Sequence, residues 1–542
     1  MAVENSPIRY VLNERELQLL RRIIKPSSTQ SSHAPAPTNN DHNNSSSSTT
    51  TTSSPFETQN AREHHNAATV RSASRVFLLT YGSLKSIDLL LARLANARKS
   101  PTATRSRQPL VASPGRMALS LSSLLFLHST LYRILHTLRL RLLHEKVRAI
   151  QDRYPRIYAV LTSKLAPAIG ASLSGLALGI CPADQLRITV AIYIASRSLE
   201  IGYKSISQTT WVKENLPSWF GSWLVFAVAQ GQLLHAFVFD RECFPDSYGA
   251  FIIGNTPEYI QRRPENLSAR VRWPHWNDIV DALAQMATLK WPQFTSPILH
   301  PDKYTTLPAS ISPVISPITA RAHPAIQNLS CSLLHPSDPS CFLAYLRHNL
   351  LSFPRIARFY TIYYGVFAVL LRFRSLKAAP IAALNRLVES VLRSSIATTG
   401  AIGASWGSIC LFQAILPRAF LPKFRFFLGG LMGGMFQLVD QTASGHATDM
   451  YAARASVDSL WKVGVKRRWW KGIRGGDVWL FVAALALVNV VFDVGQNTDA
   501  AKDRAMTLIR VLRGQVELGL QKEKVQTSDA TSTDDLKKEK VQ

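Results

Sequence analysis

Apolar residues in this chain gather in long runs. Three windows, 165–183, 216–239 and 394–417, exceed the ~18 uncharged residues that suggest a membrane helix. Shorter runs at 118–132, 359–371, 426–439 and 478–492 become plausible helices once flanking Arg and Lys snorkel. The pattern predicts helices near 74–97, 117–143, 158–181, 185–205 and 218–239, and again near 355–376, 383–416, 424–440, 446–463 and 477–495. Between them lies a proline-rich connection, 240–354. Residues 8–25 read as a short amphipathic helix, and 26–73 as disordered by composition. A last amphipathic helix is expected over 498–522, followed by a solvated tail in which Lys-Glu-Lys-Val-Gln occurs at 522–526 and 538–542.

The two sets of helices resemble each other. GASLSGLALGICPADQLRITVAIYIASRSLEIGY at 170–203 and FLGGLMGGMFQLVDQTASGHATDMYAARASVDSLW at 427–461 share a glycine-rich apolar stretch, a polar break and a helix-like segment ending in an aromatic. Tyr193, Glu200 and Tyr203 recur at the same spacing as Tyr451, Asp458 and Trp461, and Arg75 precedes Tyr81-Gly82 as Arg358 precedes Tyr364-Gly365. A duplicated glycine-rich membrane unit is a common plan for channels and carriers. The expected fold is an all-α polytopic membrane protein of two tandem repeats, each of about five helices with four spanning. The expected divisions are 1–73, a first repeat 74–239, the connection 240–354, a second repeat 355–495, and 496–542.

Charge refines the topology. Mean hydropathy is +0.02 because polar tails dilute the apolar segments, while the net charge is +27. Such a balance often marks nucleic-acid binding, but here the positive charge sits in short loops without a recognised nucleic-acid motif. Arg139, Arg141, Lys146 and Arg148 match Arg418, Lys423 and Arg425; Lys204 and Lys213 match Lys462, Lys466, Arg467, Arg468, Lys471 and Arg474. The alternate loops instead hold Asp184, then Asp440 and Asp449. The positive-inside rule then gives both halves one orientation, with basic loops cytosolic, a non-cytosolic connection and an even number of crossings per half. No cleavable signal peptide, mitochondrial transit peptide or peroxisomal C-terminal signal is expected.

Small-xxx-small spacing is dense at Gly175–Gly179, Gly429–Gly433 and Gly430–Gly434. It points first to tight helix packing, and alternatively to the thin wall of a groove. Arg197 with Glu200, and Arg454 with Asp458, share helical faces. They read either as structural salt bridges or as the border of a polar groove, since ionisable groups at membrane depth are costly unless paired or facing a polar cavity. The five cysteines are too few and scattered for a disulfide scaffold. Cys331-x3-His335-x5-Cys341-x6-His348 has zinc-binding residue types but no standard finger spacing, so a loop thiol pair or unrelated residues is expected and no metal is assigned. His235-x4-Asp240 has the spacing of some membrane acyltransferases, but the second half offers no equivalent. No phosphate loop, catalytic carboxylate pair or nucleophile elbow appears; no catalytic residue or cofactor is assigned, and the chain is not expected to be an enzyme.

The Tyr193-x3-Arg197-x2-Glu200 pattern, YAARASVDSLW at 451–461 and CSLLHPSDPSC at 331–341 resemble the transmembrane protein 135 family, in its fungal form, over roughly 74–495. In the second half Asp458 replaces the family's Glu, and Arg454 is displaced by one position. That family is similar to the inner-membrane protein translocase channel family, built of four-helix, glycine-rich units. The resemblance implies a multi-pass membrane protein, peroxisomal or alternatively mitochondrial, that assists lipid or metabolite transport and organelle homeostasis. The alternatives are a scaffold recruiting fission or tethering partners, and a membrane acyltransferase. Partners compatible with this reading are membrane lipids, a second copy of the chain and organelle-dynamics proteins, with nucleic acid excluded.

Overall fold

The structure is a computed structural model that describes residues 55–97, 113–143, 148–207, 209–215, 217, 220–265, 267–268, 270–301, 312–494 and 509–513. The expected helix at 8–25, the repeated tail and most of 498–522 lie outside them. The principal helices are α1 (Pro55–Ala97), α2 (Pro114–Leu142), α3 (Pro155–Thr162), α4 (Ala166–Ala171) and α5 (Gln185–Ile206). They continue as α6 (Ser222–Phe239), α7 (Asp246–Gly254), α8 (Trp276–Thr288), α9 (Leu329–Leu334) and α10 (Cys341–Ala378). The last are α11 (Pro380–Ile415), α12 (Arg425–Gly434), α13 (Ala443–Lys466) and α14 (Gly476–Val494). Among the described residues there is no strand, only an isolated bridge between Gln293 and Asn328.

Among the described residues, four helices, α2, α6, α11 and α14, are long and apolar enough to cross a membrane. A fifth span exists if α3 and the Ala166–Ile180 segment, bent by 82°, count as one. This is fewer than the eight crossings expected. α5 and α13 are long enough, but Arg187, Arg197, Glu200 and Lys204 on one, and Asp449, Arg454, Asp458, Lys462 and Lys466 on the other, keep their hydropathy down. The stretch expected to be disordered, 26–73, is helical over its described part. α1 begins at Pro55, because the serine- and threonine-rich run gives way to good helix formers, and Ala67 and Ala73 are buried.

The chain divides into two compact units. The first holds the described residues up to Lys213 and from Ile473 onward. Here α1 packs on α2, α2 on α4 and its 3-10 continuation Ser172–Ile180, and α14 on that continuation and on α5. Leu124, Leu178, Ile201, Phe481, Leu485 and Phe492 form its apolar centre. Asp184 caps α5 by accepting from the Arg187 amide at 3.0 Å, satisfying one of the open donors of the first turn. The Arg187 guanidinium donates to both oxygens of Asp477 at 2.5 and 3.1 Å, tying α5 to the start of α14.

The second unit is Glu214–Gly472. α10 packs on α11, α11 on α12, and α6 on α12 and α13. α12 also ends in a 3-10 turn, Met435–Val439, and meets an aspartate, Asp440. The proline-rich connection contributes to the core of this unit. Its residues Phe244, Tyr259, Ile279, Leu283, Met286 and Trp291 join Leu233, Trp406 and Phe426 in one core. Arg425 is buried, and its guanidinium donates to the carbonyls of Phe412 (3.2 Å), Pro417 (2.5 Å) and Phe420 (3.2 Å), so this basic-loop residue caps the end of α11.

The compact units cut across the divisions 74–239 and 355–495. α6 follows α5 in sequence yet packs in the second unit, and α14 follows α13 yet packs in the first. Both helices are mostly apolar, with no polar stripe in their sequence to select a partner.

Candidate functional site

The second unit encloses a cavity of about 110 Å³ between α6, α7, α10, α11 and α13. Its wall is mostly apolar, with Phe226, Phe237, Phe251, Ala401 and Trp406 beside the polar groups of Gln230, Tyr248, Tyr360, Thr398, Gln437 and Tyr451. The polar groups hold one another. The Gln230 amide donates to the Tyr248 hydroxyl, and the Tyr360 and Thr398 hydroxyls lie 2.8 Å apart. Burial pushes the Tyr248 phenol up to about 12, so it stays neutral at physiological pH. An apolar chamber with a few fixed polar groups is the usual form of a small-molecule site. Its volume is comparable to that of engineered cavities, about 150 Å³, that admit a benzene-sized guest. It therefore suits a small metabolite or a short stretch of acyl chain, not a whole lipid.

Gly430 and Gly434 let α12 rest on the backbone of α6: a Cβ at these positions would meet the Gln230 carbonyl and the Ala227 Cα. Gly429 and Gly433 face α11, where a Cβ would meet the hydroxyls of Ser408 and Ser405. In the first unit Gly175 packs on α14, with Phe481 and Val482 3.0 Å from an added Cβ, whereas Gly179 has open space. Beside the α12 break, buried Asp440 accepts from the hydroxyls of Ser394 (2.5 Å) and Thr442 (2.6 Å). Ser394 in turn lies 2.8 Å from the Tyr364 hydroxyl.

Glu200 pairs with Arg197 at 2.6 Å and with Lys204 at 3.0 Å, while Asp458 pairs with Lys462 at 2.7 Å. Arg197 and Glu200 belong to the first unit, Arg454 and Asp458 to the second. In the His235-x4-Asp240 pair, Asp240 is bound by Arg467 at 2.5 Å and Lys466 at 3.3 Å.

Cys331, His335, Cys341 and Cys410 come together, with their ligand atoms all within 4.8 Å of one another. Cys331 lies on α9, His335 ends that helix, Cys341 starts α10 and Cys410 lies on α11. The Cys331 sulfur is 3.7 Å from that of Cys341 and 3.6 Å from that of Cys410, and the Cys410 sulfur is 3.4 Å from His335 Nε2. Burial disfavours the charged His335 ring, but its bonds to the Cys331 and Cys341 sulfurs outweigh this and raise it to about 10. Bonds from the neighbouring thiols and His335 draw the Cys341 thiol well below its ordinary range. His348 is not in the group; its Nδ1 lies 3.1 Å from Glu258. Cys410 is the member that sequence spacing missed, because it stands in an apolar span far along the chain.

Comparison with known proteins finds no matching family model, no matching curated protein and no matching solved structure.

Proposed function

We propose that this chain is a non-catalytic, multi-pass protein of an organelle membrane, peroxisomal or alternatively mitochondrial, that assists passage of a lipid segment or small metabolite. The observation that carries this reading is the cavity of the second unit, which Gln437 reaches from a glycine-rich helix too short to span. The apolar segment Arg425–Val439 has 15 residues, or about 22 Å of helix against the roughly 30 Å hydrocarbon core. Discontinuous helices of this kind build the midplane sites of many transporters. The parallel series of a long helix pair, a glycine-rich helix with a 3-10 end, an aspartate and a charged helix supports two copies of one ancestral unit. The compartment rests on the resemblance of 193–200, 331–341 and 451–461 to the transmembrane protein 135 family.

The test is flux of short-chain acyl and small-metabolite probes through vesicles holding the purified chain. Ala401→Phe, which fills the cavity, should abolish flux while the protein remains folded. Undiminished flux, or none in the unaltered chain, overturns the reading in favour of a scaffold. A scaffold should lose its effect in cells when 1–54 and 523–542, which leave α1 and its buried Ala67 and Ala73 in place, are deleted, whereas a conduit should keep it.

A further inference from the structure

We propose that Cys331, His335, Cys341 and Cys410 form a closed zinc site that fastens the connection to α11. Tetrahedral zinc, with bonds of about 2.3 Å to sulfur and about 2.0–2.1 Å to nitrogen, sets its sulfurs about 3.8 Å apart and sulfur from nitrogen about 3.6 Å. The corresponding separations here are 3.7 and 3.6 Å between sulfurs and 3.4 Å between Cys410 Sγ and His335 Nε2. Three thiols converging with an imidazole is not the arrangement of a disulfide, which joins two sulfurs and leaves the others without a role. The donor set, three soft thiolates and one imidazole with no further ligand position, is that of a structural zinc site.

The surroundings support the same assignment. His335 Nδ1 lies 2.8 Å from the Asp338 carbonyl, which accepts the Nδ1 proton and turns Nε2, the nitrogen that gives up its own proton to take a metal, toward the sulfurs. The Asp338 amide donates back to the His335 carbonyl at 3.2 Å, so the turn carrying the ligand is closed on itself. Cys331, His335 and Cys410 are buried, whereas Cys341 is exposed and gives the ion a way in. The four ligands come from three helices, α9, α10 and α11, and bound metal joins them. Cys410 stands one helical turn beyond Trp406, which lines the cavity, so the ion anchors the helix that walls that chamber. The inference rests on the cluster alone and stands whether or not the cavity conducts anything.

The experiment is metal analysis of the full-length chain purified in detergent under reducing conditions, followed by cobalt substitution. About one zinc per chain is expected, and cobalt should give the intense visible absorption of a tetrahedral thiolate site. Cys410→Ser should lose the metal, whereas His335→Cys, which keeps four ligands, should retain it with its cobalt spectrum shifted toward that of four thiolates. The cobalt titration of the unaltered chain reads coordination even if Cys410→Ser does not fold. Three outcomes overturn the proposal: no metal above the level of an unrelated membrane protein, an octahedral cobalt spectrum, or a Cys331–Cys341 disulfide found by thiol alkylation and mass spectrometry.

Discussion

Both units contain a glycine-rich helix that tightens into a 3-10 turn and stops at an aspartate, but they put that break to different use. In the first unit the break is sealed. Asp184 caps α5, Arg187 locks onto Asp477, and Asn489 reaches Ser172 at 2.9 Å and His128 at 3.0 Å across the helices. In the second unit Asp440 is likewise held, by Ser394 and Thr442, but the 3-10 turn before it lines a cavity: Gly430 and Gly434 bring α12 onto α6, and Gln437 shares the cavity wall with Gln230 and Tyr248. The lesson is that a glycine helix does not itself make a site; the neighbours that stop short of it do.

Glycine substitutions test that contrast with the largest effect. Gly430→Val drives a side chain into the Gln230 carbonyl on the facing backbone, which cannot rotate away. Overpacking of a well-packed interior costs about 1–3 kcal/mol, and a backbone clash lies at or above the top of that range. Gly430→Val should therefore abolish recovery of folded protein in a detergent thermal-melt assay. Gly175→Ala should lower the melting temperature modestly, and Gly179→Ala, with open space around it, should leave it unchanged. Equal effects at Gly430 and Gly179 would remove the contrast.

Chelation should also separate the units. Among the described residues, the only cluster with metal-ligand geometry is the one in the second unit. Removing zinc should raise amide exchange in α8, α9 and the start of α10 while leaving α4 and α5 protected, because binding free energy is folding free energy for the segment that binds. Uniform deprotection of both units would show that the cluster does not act locally.

How much of this was legible beforehand depends on range. The helices, the glycine spacing and the aspartate at each break are local, and periodicity and composition disclose them. The packing of α6 and α14 in the other unit is not local, and a mostly apolar helix such as SWLVFAVAQGQLLHAFVF, with its few polar residues spread around it, offers no stripe to assign it. The thiol cluster was half legible: Cys331, His335 and Cys341 share one short stretch, which was read as a thiol pair or unrelated residues, but Cys410 comes from α11 and His348 of the same stretch lies elsewhere. The segment 240–354 read only as a proline-rich connection, and its Ile279, Leu283, Met286 and Trp291 supply a packed core that only tertiary contact reveals.

The aspartates give a finer comparison. Asp440 is buried and accepts from two hydroxyls, so Asp440→Ala leaves Ser394 and Thr442 without their acceptor and should cost about 1–3 kcal/mol. Asp184 makes one capping bond to a backbone amide, and Asp184→Ala should cost about 1 kcal/mol. Denaturant titration in micelles reads the difference. A greater loss at Asp184 would mean that the Arg187–Asp477 tie depends on the cap more than the distances indicate.

The charge pairs on α5 and α13 should have the smallest effect on stability and are the most informative about passage. Glu200 and Asp458 each pair with a lysine one turn away, at 3.0 and 2.7 Å, and these lysines retain substantial exposure, 50% and 39%. Pairs of this kind contribute about 0.2–1 kcal/mol. Glu200→Gln with Asp458→Asn should therefore shift the melting temperature little. If α13, which walls the cavity, borders the route of passage, Asp458→Asn lowers flux although folded protein is recovered in full, and Glu200→Gln, in the other unit, does not. Loss of folded protein in proportion to loss of flux would make both pairs purely structural and leave the cavity residues as the whole of the candidate site.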